Sequence, residues 1–181
     1  RLDKETSGCL LLAKNEEAYR HAAIAFENRK VTKGYHAVVG GLHEWHNKVV
    51  DLPLLIQSQK VVVSRKGKES KTTFSSVELF KKHTLINCEP ESGRMHQIRV
   101  HLAHEKAPII GDHLYGGQPI FLSEVKRNFK LARDKEEQPL IKRFALHAYR
   151  LSFALKNGKL DVEAPYPKDM RVLLKQLRLN A

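Results

Sequence analysis

The sequence is poor in cysteine: only Cys9 and Cys88 occur in 181 residues, and neither lies in a CxxC spacing. At most one disulfide can form, so a disulfide-stapled scaffold is excluded, and reduced thiols in a cytoplasmic protein are the expectation. No run approaches the roughly 18 consecutive apolar residues of a membrane-spanning helix. The opening residues Arg1-Leu2-Asp3-Lys4-Glu5 hold no apolar stretch of the kind that directs secretion. No glycine-rich phosphate loop follows an apolar run, which argues against a nucleotide cofactor. There is no internal repeat, low-complexity tract or linker, so the chain reads as one domain.

Acidic residues are also scarce. Asp and Glu number 20 against 32 Lys and Arg, leaving a net charge of +12. A surface this basic attracts polyanions, of which nucleic acid is the commonest, although a basic enzyme with no polyanion to bind fits the same number. The cations are dispersed rather than gathered in a tail, which points to a folded basic surface and not a disordered arm.

Periodicity gives an α+β reading. Gly8–Lys14 is a short apolar run expected as a buried strand. Asn15 before Glu16 and Glu17 starts a helix whose apolar face is Ala18, Tyr19, Ala22, Ala23 and Phe26. Tyr35–Gly41 is strand-like, and Val49–Ile56 is an edge strand or connection because Pro53 interrupts it. Residues 59–68 read as a short basic hairpin, followed by strands over Thr72–Phe80 and Thr84–Glu89. Arg94–His104 has helical spacing, with Met95, Ile98 and Leu102 on one face. Residues 116–142 read as a surface excursion. A hairpin turning at Asn157-Gly158 and a terminal amphipathic helix opening at Pro167 complete the chain. The expected sheet is mixed, largely antiparallel and bent, flanked by a few helices.

Polar residues crowd beside apolar strands in three places: Arg1–Gly8, Lys33–Gly40 and Ser92–Leu102. Each has an ordinary reading. Asp3 can cap a turn, Tyr35 can rest its ring in the core with a wet hydroxyl, and Arg99 can pair a surface carboxylate for little gain. A metal reading of His96, His101 and His104 is weak, because spacings of five and three put at most two on one helical face. On the residues alone, the result is a basic domain with a candidate Asp/Tyr/Arg site and no fixed reaction.

Taken together, these clusters resemble one family in order and spacing. RLDKETSGCLLLAK is similar to the R-L-D-x-x-T-S-G-L-L-L-x-A-K signature of RluA-type RNA pseudouridine synthases. KGYHAVVGG, SGRMHQIRVHL, GDHLYGG, LHAYRLSF and EAPYP resemble the family's later motifs in unbroken order, with Met95 in place of a small hydroxyl residue and Cys9 in place of Leu. The resemblance implies a catalytic domain over residues 1–181 lacking its N-terminal segment, a monomer at full length, with an unpaired sheet edge through which the fragment can associate.

It further implies Asp3 as the catalytic carboxylate, Tyr35 as the ring that stacks on the target base and takes part in proton removal, and Arg99 as the partner of the carboxylate. Arg1, Thr6, Arg94, His96, Gln97, Ile98 and His101 become the expected substrate contacts, with Ile98 lining the pocket. Lys60, Arg65, Lys66, Lys68 and Lys71 are the expected contacts to RNA phosphates. The implied reaction breaks the C1′–N1 bond of uridine, turns the uracil and joins C5 to C1′. A carboxylate can serve it by attacking C6, attacking C1′ or taking a sugar proton, and none of these needs a metal or organic cofactor. The implied substrate is ribosomal or transfer RNA. A non-catalytic RNA-binding relative with the same basic cleft is the alternative.

Overall fold

The computed structural model describes residues 1–131 and 135–181. Its centre is a seven-stranded sheet built from β1 (Ser7–Gly8), β2 (Thr32–Gly40), β3 (Lys48–Asp51), β6 (Lys71–Leu79), β7 (His83–Pro90), β8 (Leu146–Leu155) and β9 (Gly158–Glu163). The order is β1-β8-β2-β7-β6-β3, with β9 extending the β1 edge by pairing with the far half of β8. Only β1–β8 is parallel; every other pair is antiparallel, so the sheet is mixed and largely antiparallel as expected. Register shifts at Gly34/Tyr35 and Ser76/Glu78 mark bulges, which bend the strands that carry them. A separate two-stranded hairpin, β4 (Leu54–Gln57) and β5 (Lys60–Val63), stands beside this sheet. Its turn is at Ser58-Gln59, so the basic hairpin begins earlier than its lysines suggested, and Arg65 and Lys66 follow it in an exposed turn.

The strand register sorts side chains onto two faces. Tyr35, Cys88, Phe74 and Thr72 share one face with α2 (Gln97–His104), whose His101 bonds to Thr72. His36, Val38, Leu85 and Glu78 lie on the other, where α4 (Lys168–Leu179) packs through Met170, Leu173, Leu174 and Leu177. The helix begins after Pro167 and buries one stripe, as its amphipathic pattern requires. The core between these layers is continuous and includes Val38, Phe74, Leu85, Ile86, Leu102 and Ile109, each at most 2% exposed.

Three expectations need correction. Gly8–Lys14 is not a buried strand: pairing with β8 stops at Gly8, and Leu10 and Leu12 are 59% and 79% exposed. Beyond Gly8 the Cys9 amide still donates to the Ala148 carbonyl at 2.8 Å, but no ladder continues over Leu10–Lys14, so apolar composition alone does not make it a strand. α1 (Glu16–Glu27) is capped by Asn15, whose side chain accepts the Ala18 amide at 2.8 Å, but its expected apolar face is largely open. Only Ala25 is buried, against Val31, Leu151 and Phe153, while Tyr19 and Phe26 remain exposed beside Leu10 and Leu11 in a groove. The second expected helix starts at Gln97 rather than Arg94, because Arg94 closes a turn onto the Gln97 amide and His96 adopts a left-handed backbone at φ 53°. The 116–142 excursion contains α3 (Leu122–Val125) and two core anchors, Ile120 and Ile141; its residues 132–134 lie outside the described residues.

Candidate active site

Asp3 sits in a tight turn closed by a 2.9 Å bond from the Thr6 amide to its carbonyl. Gly8 then brings the chain hard against β8. At φ 118° it adopts a conformation that L residues avoid, and a Cβ there would meet the Ala148 carbonyl oxygen at 2.1 Å. This close approach fixes the loop end, and Arg143 fixes its middle. The Arg143 Nη1 donates to the Glu5 carbonyl at 3.0 Å and its Nη2 to the Ser7 hydroxyl at 3.0 Å, while Asp169 on α4 holds the same guanidinium at 2.8 and 3.2 Å. The Ser7 hydroxyl also meets Nδ1 of the buried His147 at 2.9 Å.

Arg99 reaches the Asp3 carboxylate from α2, with Nη1 donating at 3.1 Å. Its Nε and Nη2 are committed to Asp112 at 2.7 and 2.8 Å. The Arg99 and Asp112 side chains are 7% and 1% exposed, whereas Asp3 at 26% faces the solvent side. The guanidinium is sandwiched between Tyr115, 5.0 Å from its ring centroid, and Phe144 at 4.3 Å. Burial works against its charge, but Asp112 and then Asp3 outweigh it, so the pKa of Arg99 is raised. One buried cation therefore organises a buried carboxylate and an accessible one.

The accessible carboxylate opens onto a cavity of about 90 Å³ lined by Arg1, Thr6, Lys33, Tyr35, Arg94, His96, Ile98 and Leu146. Asp3, Tyr35 and Arg99 thus converge from sites far apart in the chain. Burial, and secondarily the charge of Asp3, pushes the Tyr35 phenol up to about 12, so it is neutral at physiological pH. It is a stacking surface and a proton holder; as a resting base it is unsuited. Lys33, two positions earlier, has its pKa lowered to about 8 by burial and by Arg29, and its Nζ donates to the Ser92 carbonyl at 2.9 Å.

Arg1, Thr6, Arg94, His96 and Ile98, five of the seven expected substrate contacts, line this cavity. The His96 Nδ1 is 2.7 Å from the Tyr115 hydroxyl, which accepts the Val61 amide of β5 and keeps its own proton to donate to the ring. Burial, followed by Arg99, lowers the pKa of His96 and favours that neutral acceptor form. Two expected contacts are corrected. His101 is fully buried on the core-facing side of α2, bonded to Thr72, Ser70 and the Leu52 carbonyl, and cannot meet a substrate. Gln97 borders the cavity, but its oxygen accepts from Ser92 and the Arg94 amide while its nitrogen donates to Lys71 and Thr72. Its hydrogen-bonding capacity is spent on holding the loop.

The basic residues divide similarly. Lys66 and Lys68 line a larger open cavity of about 810 Å³, between the hairpin and Arg94-Met95-His96, that adjoins Asp3. Lys60 lies 5.9 Å from the Tyr115 ring centroid on the same hairpin, and Arg65 is exposed beside it. Lys71 differs: its ammonium is paired with Glu91 at 2.7 Å, so its charge is already matched. Asp112, Lys33, Arg143 and Asp169 are site residues that the sequence pattern left without a role.

A family model described as RNA pseudouridylate synthase matches residues 1–104. The chain belongs to the RluA-type RNA pseudouridine synthase family. An uncharacterized RNA pseudouridine synthase of Zymomonas mobilis is 38% identical, over 93% of this chain and 72% of its own length. Ribosomal large subunit pseudouridine synthase D of Haemophilus ducreyi is 35% identical, over 99% of this chain and 55% of its own. An uncharacterized RNA pseudouridine synthase of Bacillus subtilis is 36% identical and is likewise covered over 55% of its length, so the chain spans about half of these latter relatives. The fold agrees with that of human RNA pseudouridylate synthase domain containing 4, at a TM-score of 0.74 and 26% identity over 98% of this chain and 74% of that one. The family's mixed sheet and the Asp/Tyr/Arg cavity thus occur in the same chain.

Proposed function

We propose that the protein isomerises uridine to pseudouridine in RNA, with Asp3 as the catalytic carboxylate. The observation that carries the reading is the Asp3 carboxylate, aimed by Arg99 into a small cavity that also presents the Tyr35 ring. A target base must leave its stack to be reached, and it then needs an aromatic face and a positively charged approach. Tyr35 supplies the first; Arg1, Lys33, Arg94, Lys66 and Lys68 supply the second.

In the proposed reaction, the C1′–N1 bond breaks, the freed uracil turns within the cavity, and C5 bonds to C1′. The hydrogen on C5 then leaves as a proton and N1, freed from the sugar, takes one up, so the product is an isomer of the starting nucleoside. Asp3 acts by attack at C6, attack at C1′ or removal of a sugar proton. Tyr35 enters as a neutral phenol, so any proton it accepts requires prior loss of its own. The name of the Haemophilus ducreyi relative supports large-subunit ribosomal RNA as the substrate ahead of transfer RNA. The two free thiols suit a reducing, cytoplasmic setting.

The test is tritium release from RNA labelled at C5 of uridine. Asp3→Asn keeps the side-chain shape but loses nucleophile and base, so release is expected to stop while RNA binding persists. Tyr35→Phe should keep binding and lower turnover. Release at the wild-type rate from Asp3→Asn would overturn the assignment, and absence of release from the native protein on any RNA would favour a non-catalytic RNA-binding role. Mapping pseudouridine in ribosomal and transfer RNA from cells with and without the protein identifies the substrate.

A further inference from the structure

Helix α4 carries Lys168, Arg171, Lys175 and Arg178. At 100° per residue these positions fall within one narrow arc, and at about 1.5 Å per residue they form a line roughly 15 Å long. All four are exposed, while the opposite stripe is buried in the core. Of the acids nearby, one is turned away from the line and one neutralises only its last member. Asp169, the helix's own carboxylate, turns to Arg143, and Glu78 takes Arg178. Among the described residues no carboxylate pairs with Lys168, Arg171 or Lys175. At the far end of the helix Lys81 and Lys82 extend the cationic surface, and Glu124 lines the same cleft.

Helix stability accounts for Arg178, in the last turn, but not for the N-terminal half of the line. Lys168 and Arg171 stand in the first turn, where the macrodipole disfavours cations, and their spacing sets like charges against one another. An external anion would offset both costs. The helix contains no aromatic residue on which unpaired bases could stack, which favours the phosphates of a duplex over a single strand. α4 also packs on the sheet face opposite Tyr35 and α2, so only a substrate extending well beyond its target nucleotide reaches both surfaces.

We propose that the Lys168–Arg178 ridge of α4 is a second RNA-binding surface, which engages the backbone of a duplex segment remote from the uridine in the Asp3 cavity. This rests on the reading of RNA as the substrate. It does not rest on catalysis.

The experiment compares the native protein with Lys168→Glu/Arg171→Glu/Lys175→Glu on two RNAs: a short stem-loop presenting the target uridine, and the same stem-loop extended by a long duplex. Reversing the two first-turn charges agrees with the helix dipole, so thermal stability should hold or rise, and the milder Lys→Gln/Arg→Gln triple guards against misfolding. Affinity for the extended RNA is expected to fall at least tenfold, with the slope of log K against log salt flattened by about 0.9 for each phosphate that the ridge no longer neutralises. Affinity for the short stem-loop should change far less. Equal affinity and slope on the extended RNA, or equal losses on both RNAs, would overturn the proposal. Because both readouts are of binding, a protein that bound RNA without turnover would sink the catalytic reading and leave this one testable.

Discussion

Arg99 donates two of its three hydrogen bonds to Asp112 and one to Asp3, so the candidate catalytic carboxylate is held by the spare arm of a buried ion pair. The fork geometry that makes this possible belongs to arginine. Lysine offers one point charge where three oxygens are waiting. Arg99→Lys should therefore leave Asp112 underpaired in the interior and Asp3 loose at the cavity. Breaking a buried pair costs about 3–5 kcal/mol, roughly 10 °C in Tm for a domain of this size. Calorimetry together with the tritium assay should find both stability and turnover reduced; an unchanged Tm would mean that the pair contributes nothing to the fold.

Arg143 bonds to Glu5, Ser7 and Asp169 together, which makes it the link between the Asp3 loop and α4. It does not itself line the cavity, so it acts by positioning Asp3. Misplacement of a reacting group by about 1 Å can cost on the order of 100-fold in rate. Arg143→Gln should lower kcat at least tenfold with little change in KM for RNA, and Arg143→Lys should recover part of the loss. Asp169→Asn should act in the same direction and more weakly. A rise in KM at constant kcat would place Arg143 in RNA binding instead.

The strand pattern and the hairpin at Asn157-Gly158 were legible because each is written locally, as a period or a short motif, whereas Asp3, Tyr35 and Arg99, with Asp3 and Arg99 96 residues apart, were brought together only by the resemblance of their separate motifs to one family. What escaped depends on distance along the chain. Arg143 meets Glu5 and Ser7 across 138 and 136 residues, and no spacing reports such a contact. Asp112 was visible inside GDHLYGG, yet only the fold turns it toward Arg99. His101 misled for the opposite reason. It follows Arg99 by two residues on a short helix, which rotates it away from the cavity and into the core beside Thr72. The apolar run after Gly8 and the α1 stripe misled because hydrophobic pattern predicts a face without saying what covers it.

Lys33 has its pKa lowered to about 8 and lines the cavity, so its charge is present at neutral pH and fades in mild alkali. A phosphate at the cavity mouth would favour the ammonium, and RNA binding would then take up protons above pH 8. Affinity should be level below about pH 7.5 and should weaken as the pH rises through 8. Lys33→Arg keeps the charge across this range and should flatten the curve. Parallel pH profiles for the two proteins would remove Lys33 from RNA binding.

His36 lies on the sheet face opposite the cavity, stacked on Tyr149 with ring centroids 3.9 Å apart and bonded through Nδ1 to the Tyr166 hydroxyl at 2.5 Å. Burial, and then the neighbouring His147, lowers its pKa to about 4. In the unfolded chain the same ring titrates near 6.5. Between these values the unfolded state binds a proton that the folded state refuses. The stabilisation from neutral His36 is therefore complete above pH 6.5 and is lost as the pH falls toward 4. Allowing for partial exposure of the ring, the loss is on the order of 2 kcal/mol. Urea denaturation of the native protein should show its midpoint falling through this window. His36→Phe keeps the stack on Tyr149 and removes the titration, so its midpoint should fall less steeply, even though His147 and His101 also have lowered pKa values and titrate in both proteins. The difference in stability between the two proteins should shrink as the solution is acidified, and a difference independent of pH would show that His36 does not carry this part of the acid sensitivity.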